Sequence, residues 1–214
     1  MTKFIAFFLC ALIGYLLGSI ESAVIISRDR YHDDVRTHGS GNSGSTNMLR
    51  TYGKKAALMT FVIDCAKGVA SVLLSFLIAH FFKLDNIECG SIGALFAVVG
   101  HCFPLYFGFK GGKGAATTLA ACWTLFFAPT YGIIGIVAIA IAATVILLTR
   151  YVSLAVMITM LAFTTYVVVL YNSNIITLVC VSLICVLIIA RHNENIKRLI
   201  KGNENKISFK KSKA

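Results

Sequence analysis

Ala115-Ala-Thr-Thr-Leu-Ala-Ala-Cys-Trp-Thr-Leu-Phe-Phe-Ala128 is the stretch that decides how this chain is threaded. As a helix it rises only about 21 Å, short of a bilayer hydrocarbon core of about 30 Å. It must begin inside the membrane, dip partway, or fuse with the apolar run that follows. Outward from it, apolar runs recur at about 4–26, 56–82, 90–108, 131–149, 152–171 and 175–191, and each reads as a helix. With 114–128 as a short fourth helix, the chain is an all-α polytopic membrane protein of about seven transmembrane helices. The mean hydropathy of +0.81 and the hydrophobic fraction of 57% lie outside the soluble range. Phe4–Ile26 is too long for the apolar core of a secretion signal and lacks a clear small-residue cleavage site, so it reads as a retained helix. Residues 1–214 form one integral-membrane domain with a flexible basic tail from about 202 to 214, and no internal repeat is visible.

Charge decides between seven crossings and six. The net charge of +11 invites a nucleic-acid partner, but the cations sit in the wrong places for one. Arg28, Arg30, Arg36, Arg50, Lys54 and Lys55 fill one polar loop; Lys110, Lys113 and Arg150 follow in later connections, and eight more cations lie between Arg191 and Lys213. The alternate connections are nearly bare. If the short run crosses, every basic segment falls on one side, as the positive-inside rule demands. The N-terminus is then outside and the C-terminus cytoplasmic, with the tail touching anionic lipid. Six crossings would split the basic segments across two faces. Seven scattered cysteines, without metal spacing, read as small core residues. No cofactor and no metal are expected.

The remaining polar residues form three islands at the ends of apolar runs. The first is His38-Gly-Ser-Gly-Asn-Ser-Gly-Ser-Thr-Asn-Met-Leu-Arg50. Glycines at 39, 41 and 44 allow close backbone approach to an anion, and successive N–H groups there can form a nest. Ser40, Gly41, Asn42, Thr46 and Asn47 are candidate ligands. Thr46 or Asn47 can cap a short helix carrying Arg50, whose guanidinium suits phosphate. A flexible linker is the plainer reading, but it needs neither the interleaved amides nor the arginine. The second island is Phe109-Lys-Gly-Gly-Lys-Gly114. It is not a Walker A loop, because Gly114 stands where Ser or Thr belongs. Lys110, Gly111, Gly112 and Lys113 are candidates, with snorkelling the alternative for Lys110. Upstream, His101 reads more simply as a buried, hydrogen-bonded histidine. The third island is Arg191-His-Asn-Glu-Asn-Ile-Lys-Arg198, in which His192 and Asn195 share a helix face, as do Arg191 and Glu194. Within apolar runs, Glu21, Asp64 and Lys67 are costly. Asp64 and Lys67 share a helix face and either brace the bundle or orient and charge the site.

Taken in order, these motifs resemble the bacterial PlsY family of integral-membrane acyl-phosphate:glycerol-3-phosphate acyltransferases. The resemblance rests on Gly39–Arg50, Asp64-x-x-Lys67-Gly68, Gly100-His-x-x-Pro104 with Phe109–Gly114, and His192-x-Glu-Asn-Ile196. It covers nearly the whole chain. Glu21 stands where that family commonly has Pro after Gly-Ser-Ile, and Ser45 where Ala is usual. The resemblance implies acyl transfer from acyl phosphate to the 1-hydroxyl of glycerol 3-phosphate, giving lysophosphatidate and inorganic phosphate at the cytoplasmic face. It carries over Ser40, Asn42, Thr46, Asn47, Arg50, Lys110, Gly111, Gly112, Lys113, His192, Glu194 and Asn195. With the residue reading, Arg50, Lys113, His192 and Asn195 form the expected catalytic group. The others, with Gly41, Asp64, Lys67 and His101, form the expected substrate-binding group. The expected partners are the two substrates and membrane lipid, with the enzyme that makes acyl phosphate as a further candidate. An anion transporter is the competing class. It predicts broken or polar segments near the midplane, and the last three helices carry no interior ionisable residue.

Overall fold

The computed structural model describes residues 1–126, 132–170 and 174–207. Ten α-helices are present among them: α1 (Thr2–Gly18), α2 (Ser22–Tyr31), α3 (Ser45–Tyr52), α4 (Lys54–Phe82), α5 (Asn86–Cys102), α6 (Ala115–Phe126), α7 (Gly132–Thr149), α8 (Val152–Leu170), α9 (Ile175–Arg191) and α10 (Asn193–Ile200). No strand occurs among the described residues. The apolar runs of the sequence become α1, α4, α5, α6, α7, α8 and α9. Thr2–Tyr31 (counted across its kink), Lys54–Phe82, Asn86–Phe107 and Val152–Val169 are long and apolar enough to cross a membrane. Ile175–Arg191 with Asn193–Ile200, bent by 55°, makes a fifth span; Ala115–Phe126 and Gly135–Thr149 are shorter.

Small residues let the long helices meet backbone to backbone, the usual device where lipid removes the hydrophobic drive between helices. A methyl on Gly18 of α1 would overlap the Ala97 carbonyl of α5, and one on Gly100 would overlap the Tyr15 carbonyl. The apolar core lies further in, where Val72, Val98, Val167, Ile184 and Ile188 are buried together. Side-chain caps fix the turns at one end: Asp85 accepts from the Glu88 N–H at 2.8 Å, and Asn174 accepts from the Thr177 N–H at 3.1 Å.

Polar ties define the two ends of the bundle. At one end Lys3 pairs with Glu88 at 2.8 Å and Asn174 donates to Glu88 at 3.2 Å. This joins the start of α1 to the α4–α5 and α8–α9 connections. The three islands gather at the other end, as does Arg150, whose carbonyl accepts from the Ile207 N–H at 2.9 Å. The short α6 starts recessed. Gly114, at φ +81°, is buried among Val98, Ile188 and Cys102. From there α6 climbs until Leu125 closes over Gly90, in the second turn of α5. The described part of this run is the twelve-residue α6, Ala115–Phe126. Residues 127 and 128 lie outside the described set.

Three expectations need correction. The first run is not one helix over 4–26: the helix ends at Gly18 and restarts at Ser22. Ser19 turns its hydroxyl back to the Tyr15 carbonyl at 2.8 Å, and Glu21 stands at the non-helical cap of α2. The third run stops at Cys102 because Pro104 cannot continue it. The tail does not run free from residue 202. Asn203–Ile207 folds back, and Glu204 is buried.

Candidate active site

The islands converge. One polar chamber is lined by Ser40, Asn42, Thr46, Asn47 and Arg50 from the first, Lys113 from the second, and His192, Asn195 and Arg198 from the third. Asp64 and His101 also line it, as do Ser153 and Glu204. The first turns of α3, α6 and α8 contribute Ser45 and Thr46, Ala115 and Ala116, and Val152 and Ser153. Helix N-termini carry free N–H groups and partial positive charge, so three of them around one space favour an anion.

Asn47 is engaged in holding the first island. Its amide accepts from the Ser40 N–H and donates to the Val35 and His38 carbonyls, each at 3.0 Å. Gly39, at φ +56°, lies against that amide with no room for a side chain. The expected cap of α3 by Thr46 or Asn47 is therefore not made; Gly44 is the cap residue and offers no side chain. Arg36 ties this loop to the second island by donating to the Phe107 and Lys110 carbonyls, both at 3.3 Å.

Arg191 grips the glycine loop from α9. Its guanidinium reaches the Gly111 carbonyl at 2.7 Å and the Gly112 carbonyl at 2.9 Å. The Gly112 N–H donates to the His101 carbonyl at 3.1 Å. The loop is thus held by its backbone, with Lys113 presented to the chamber. Lys113 donates to the Asn195 side-chain oxygen. Burial pulls its ammonium down to about 8, helped by Arg198, Arg191 and Arg50 and opposed by Glu204. An incoming anion relieves that crowding of cations.

His192 Nδ1 lies 2.7 Å from the Ile188 carbonyl. A carbonyl only accepts, so the neutral ring keeps its proton on Nδ1 and leaves the Nε2 lone pair free. Glu204 locks the rim, accepting from Asn195 at 2.7 Å, Arg198 at 2.8 Å and Ser153 at 2.9 Å. Below the chamber, Lys67 contacts Asp64 at 3.0 Å and donates to the Ile20 carbonyl at 2.7 Å. Asp64 also accepts from Ser22 at 2.8 Å. His101 Nδ1 stands 3.6 Å from Asp64 and 3.7 Å from Glu21.

Some candidates stay outside. Lys110 and Glu194 are exposed, and Glu194 pairs with Lys197 at 2.9 Å rather than with Arg191. Gly41 and Lys67 do not line the chamber, and Gly111 and Gly112 act through their carbonyls. The plainer reading of His101 fails in part, because its buried Nδ1 has no hydrogen-bond partner. Sequence reasoning missed Ser153, Arg198 and Glu204. Arg198 was findable, three positions beyond Asn195 on one helix face; Ser153 and Glu204 meet across 51 positions with no local signal.

The polar chamber shares Ser45, Thr46, Ala115, Ala116, Val152 and Val156 with an apolar slot of about 290 Å³ between α6, α7 and α8. Fold and site together define an integral-membrane protein that can hold anions beside a lipid-like tail. The family described as Glycerol-3-phosphate acyltransferase matches residues 8–202, and the chain belongs to it. Similar proteins carry that same description. The one from Coxiella burnetii is 40% identical over 95% of this chain and 100% of its own. The one from Shewanella loihica is 42% identical over 94% and 92%, and that from Clostridioides difficile 36% over 96% and 98%. The crystal structure of PlsY (YgiH), an integral membrane glycerol 3-phosphate acyltransferase, in its glycerol 3-phosphate form superposes with a TM-score of 0.82 at 32% identity. That match covers 94% of this chain and 96% of the other. The lysophosphatidic acid form gives 0.78 at 31% identity, over 94% and 95%. The chain is therefore an acyltransferase enzyme of the PlsY type.

Proposed function

We propose that the protein transfers a fatty acyl group from acyl phosphate to the 1-hydroxyl of glycerol 3-phosphate at the cytoplasmic face of the bacterial inner membrane. The observation that carries this reading is the join between a cation-lined chamber and an apolar slot. Two phosphates must be brought together against their repulsion while one of them trails an alkyl chain. Arg50, Lys113 and Arg198, with the three helix N-termini, supply the positive field. The slot takes the chain.

The reaction needs no covalent enzyme intermediate, because acyl phosphate already has a good leaving group. The 1-hydroxyl oxygen attacks the acyl carbon, the C–O bond to phosphate breaks, and inorganic phosphate departs with the electron pair. His192 Nε2 faces this chemistry with a free lone pair and accepts the hydroxyl proton. Asn195, held by Lys113 and Glu204, positions the glycerol. Holding both reactants contributes up to roughly 7–11 kcal/mol in ideal geometries. Seven crossings, with the N-terminus outside, place all three islands and Arg150 on the cytoplasmic side, consistent with their shared end of the bundle.

The test supplies purified protein and labelled glycerol 3-phosphate with acyl phosphate, acyl-CoA or acyl carrier protein thioester in turn. Lysophosphatidate from acyl phosphate alone is expected; product from the thioesters only would overturn the donor assignment. Lys113→Ala should lower kcat/KM by about 10²–10³-fold, as removal of one charge-stabilising donor does. Turnover within threefold of wild type would remove Lys113 from the site.

A further inference from the structure

Among the described residues, the lining of the slot runs from the chamber to an aromatic pair. It opens from the chamber beside Ala115, the first residue of α6, and Val152, the first of α8. Eleven positions further along α6 stands Phe126, and eleven further along α8 stands Phe163. Both line the slot, and their rings meet edge to face with centroids 5.5 Å apart. Two helices that leave the chamber at one level thus bring an aromatic pair together at one depth. Eleven residues of helix rise about 16 Å. On the third wall, α7 presents Ala138 and Ala142, and a methyl on its Gly135 would overlap the Trp123 ring. The lining is mostly apolar, from Ala138 and Ala142 to Leu119, Ile146 and Met160, and the aromatic pair stands at its far end among the described residues. Such a channel selects by length, because an alkyl chain has no other feature to read.

We propose that the Phe126–Phe163 pair is the stop of a measuring slot that sets the length of acyl chain this enzyme prefers. The inference rests on the acyl-donor reading of the slot. An extended alkyl chain advances about 1.25 Å per carbon, from a bond of about 1.5 Å at the tetrahedral angle, so about 13 carbons fill the depth. The cavity volume of about 290 Å³ is at the small end for a ligand site, consistent with a single narrow chain. Longer chains must bend at the aromatic pair or leave between helices.

The experiment uses the full-length protein in detergent and a series of saturated acyl phosphates from 8 to about 18 carbons. kcat/KM should climb with chain length to about 12–14 carbons and then level or fall. Phe163→Ala should move that limit outward by at least two carbons, raising relative use of the longest donors about threefold or more. Ala142→Phe, which fills the slot short of the stop, should move it inward, so that the longest donors lose more activity than the shortest. Transfer with the same length profile in both variants would overturn the stop while leaving the acyl-phosphate reading intact. Failure of every acyl phosphate to donate would overturn both.

Discussion

Glu204 and Glu21 are both shut away from solvent, at 8% and 0% exposure, yet they are held in opposite ways. Glu204 collects three donors from two helices and binds the chamber rim together. Glu21, at the break between α1 and α2, has no hydrogen bond to either oxygen; the His101 ring nitrogen Nδ1 lies 3.7 Å away. A buried carboxylate with its lone pairs filled fixes geometry; one left unfilled carries a desolvation cost. Burial alone therefore does not show that a charge is structural. The donors around it do.

Of the two carboxylates, Glu204 should matter far more when removed. Glu204→Ala frees Asn195, Arg198 and Ser153 at once, and misplacement of about an ångström can cost about 10²-fold. A loss of that order in kcat is expected, with the protein still extracted as folded monodisperse material. Activity within threefold would show that the rim holds itself. Glu204→Gln is milder and sharper. It keeps an acceptor but removes the charge that opposes loss of the Lys113 proton. Because Lys113 is lowered to about 8, its ammonium is present below that pH and lost above it. kcat/KM for glycerol 3-phosphate should therefore fall in wild type above about pH 8. In Glu204→Gln the fall should begin at lower pH, and in Lys113→Arg it should vanish from the neutral range. An unchanged alkaline limb in both variants would disconnect Lys113 from phosphate binding. The smallest effect is expected at the other carboxylate. Glu21→Gln should leave activity within about twofold and hold or raise the melting temperature in detergent. Relief of about 1 kcal/mol corresponds to roughly 2–4 °C in a chain of this size. A fall of more than 5 °C would mean that Glu21 is held by contacts of its own.

Much of this arrangement was legible in residue order. Apolar length and cation placement located the seven apolar helices and put the islands at one end, because membrane thickness and charge cost act on every residue type alike. Within the islands, Arg50 and Lys113 were readable because cations among glycines suit an anion, while His192 and Asn195 came through the resemblance to the PlsY family; all four line the chamber. The failures share a cause. Asn47 was expected to cap a helix, but it braces a loop through Ser40, Val35 and His38 while lining the chamber. Such a choice depends on loop shape, not composition. Apolar residues stand on both sides of the kink at Ser19–Glu21, so a hydropathy window long enough to find a span runs through it. The grip of Arg191 on Gly111 and Gly112 spans about 80 positions. The rim contacts of Glu204 were hidden in what reads locally as a polar basic tail.

That late position has a consequence for how the enzyme comes into being. Glu204 follows the ten described helices along the chain, so a ribosome finishes all of them before the residue that ties Ser153 to Asn195 and Arg198 emerges. Chains are made from the N-terminus, and early parts fold first. A nascent protein stopped at residue 203 carries all three islands with the rim untied. Competence thus arrives last, after insertion, when the bilayer already surrounds the slot.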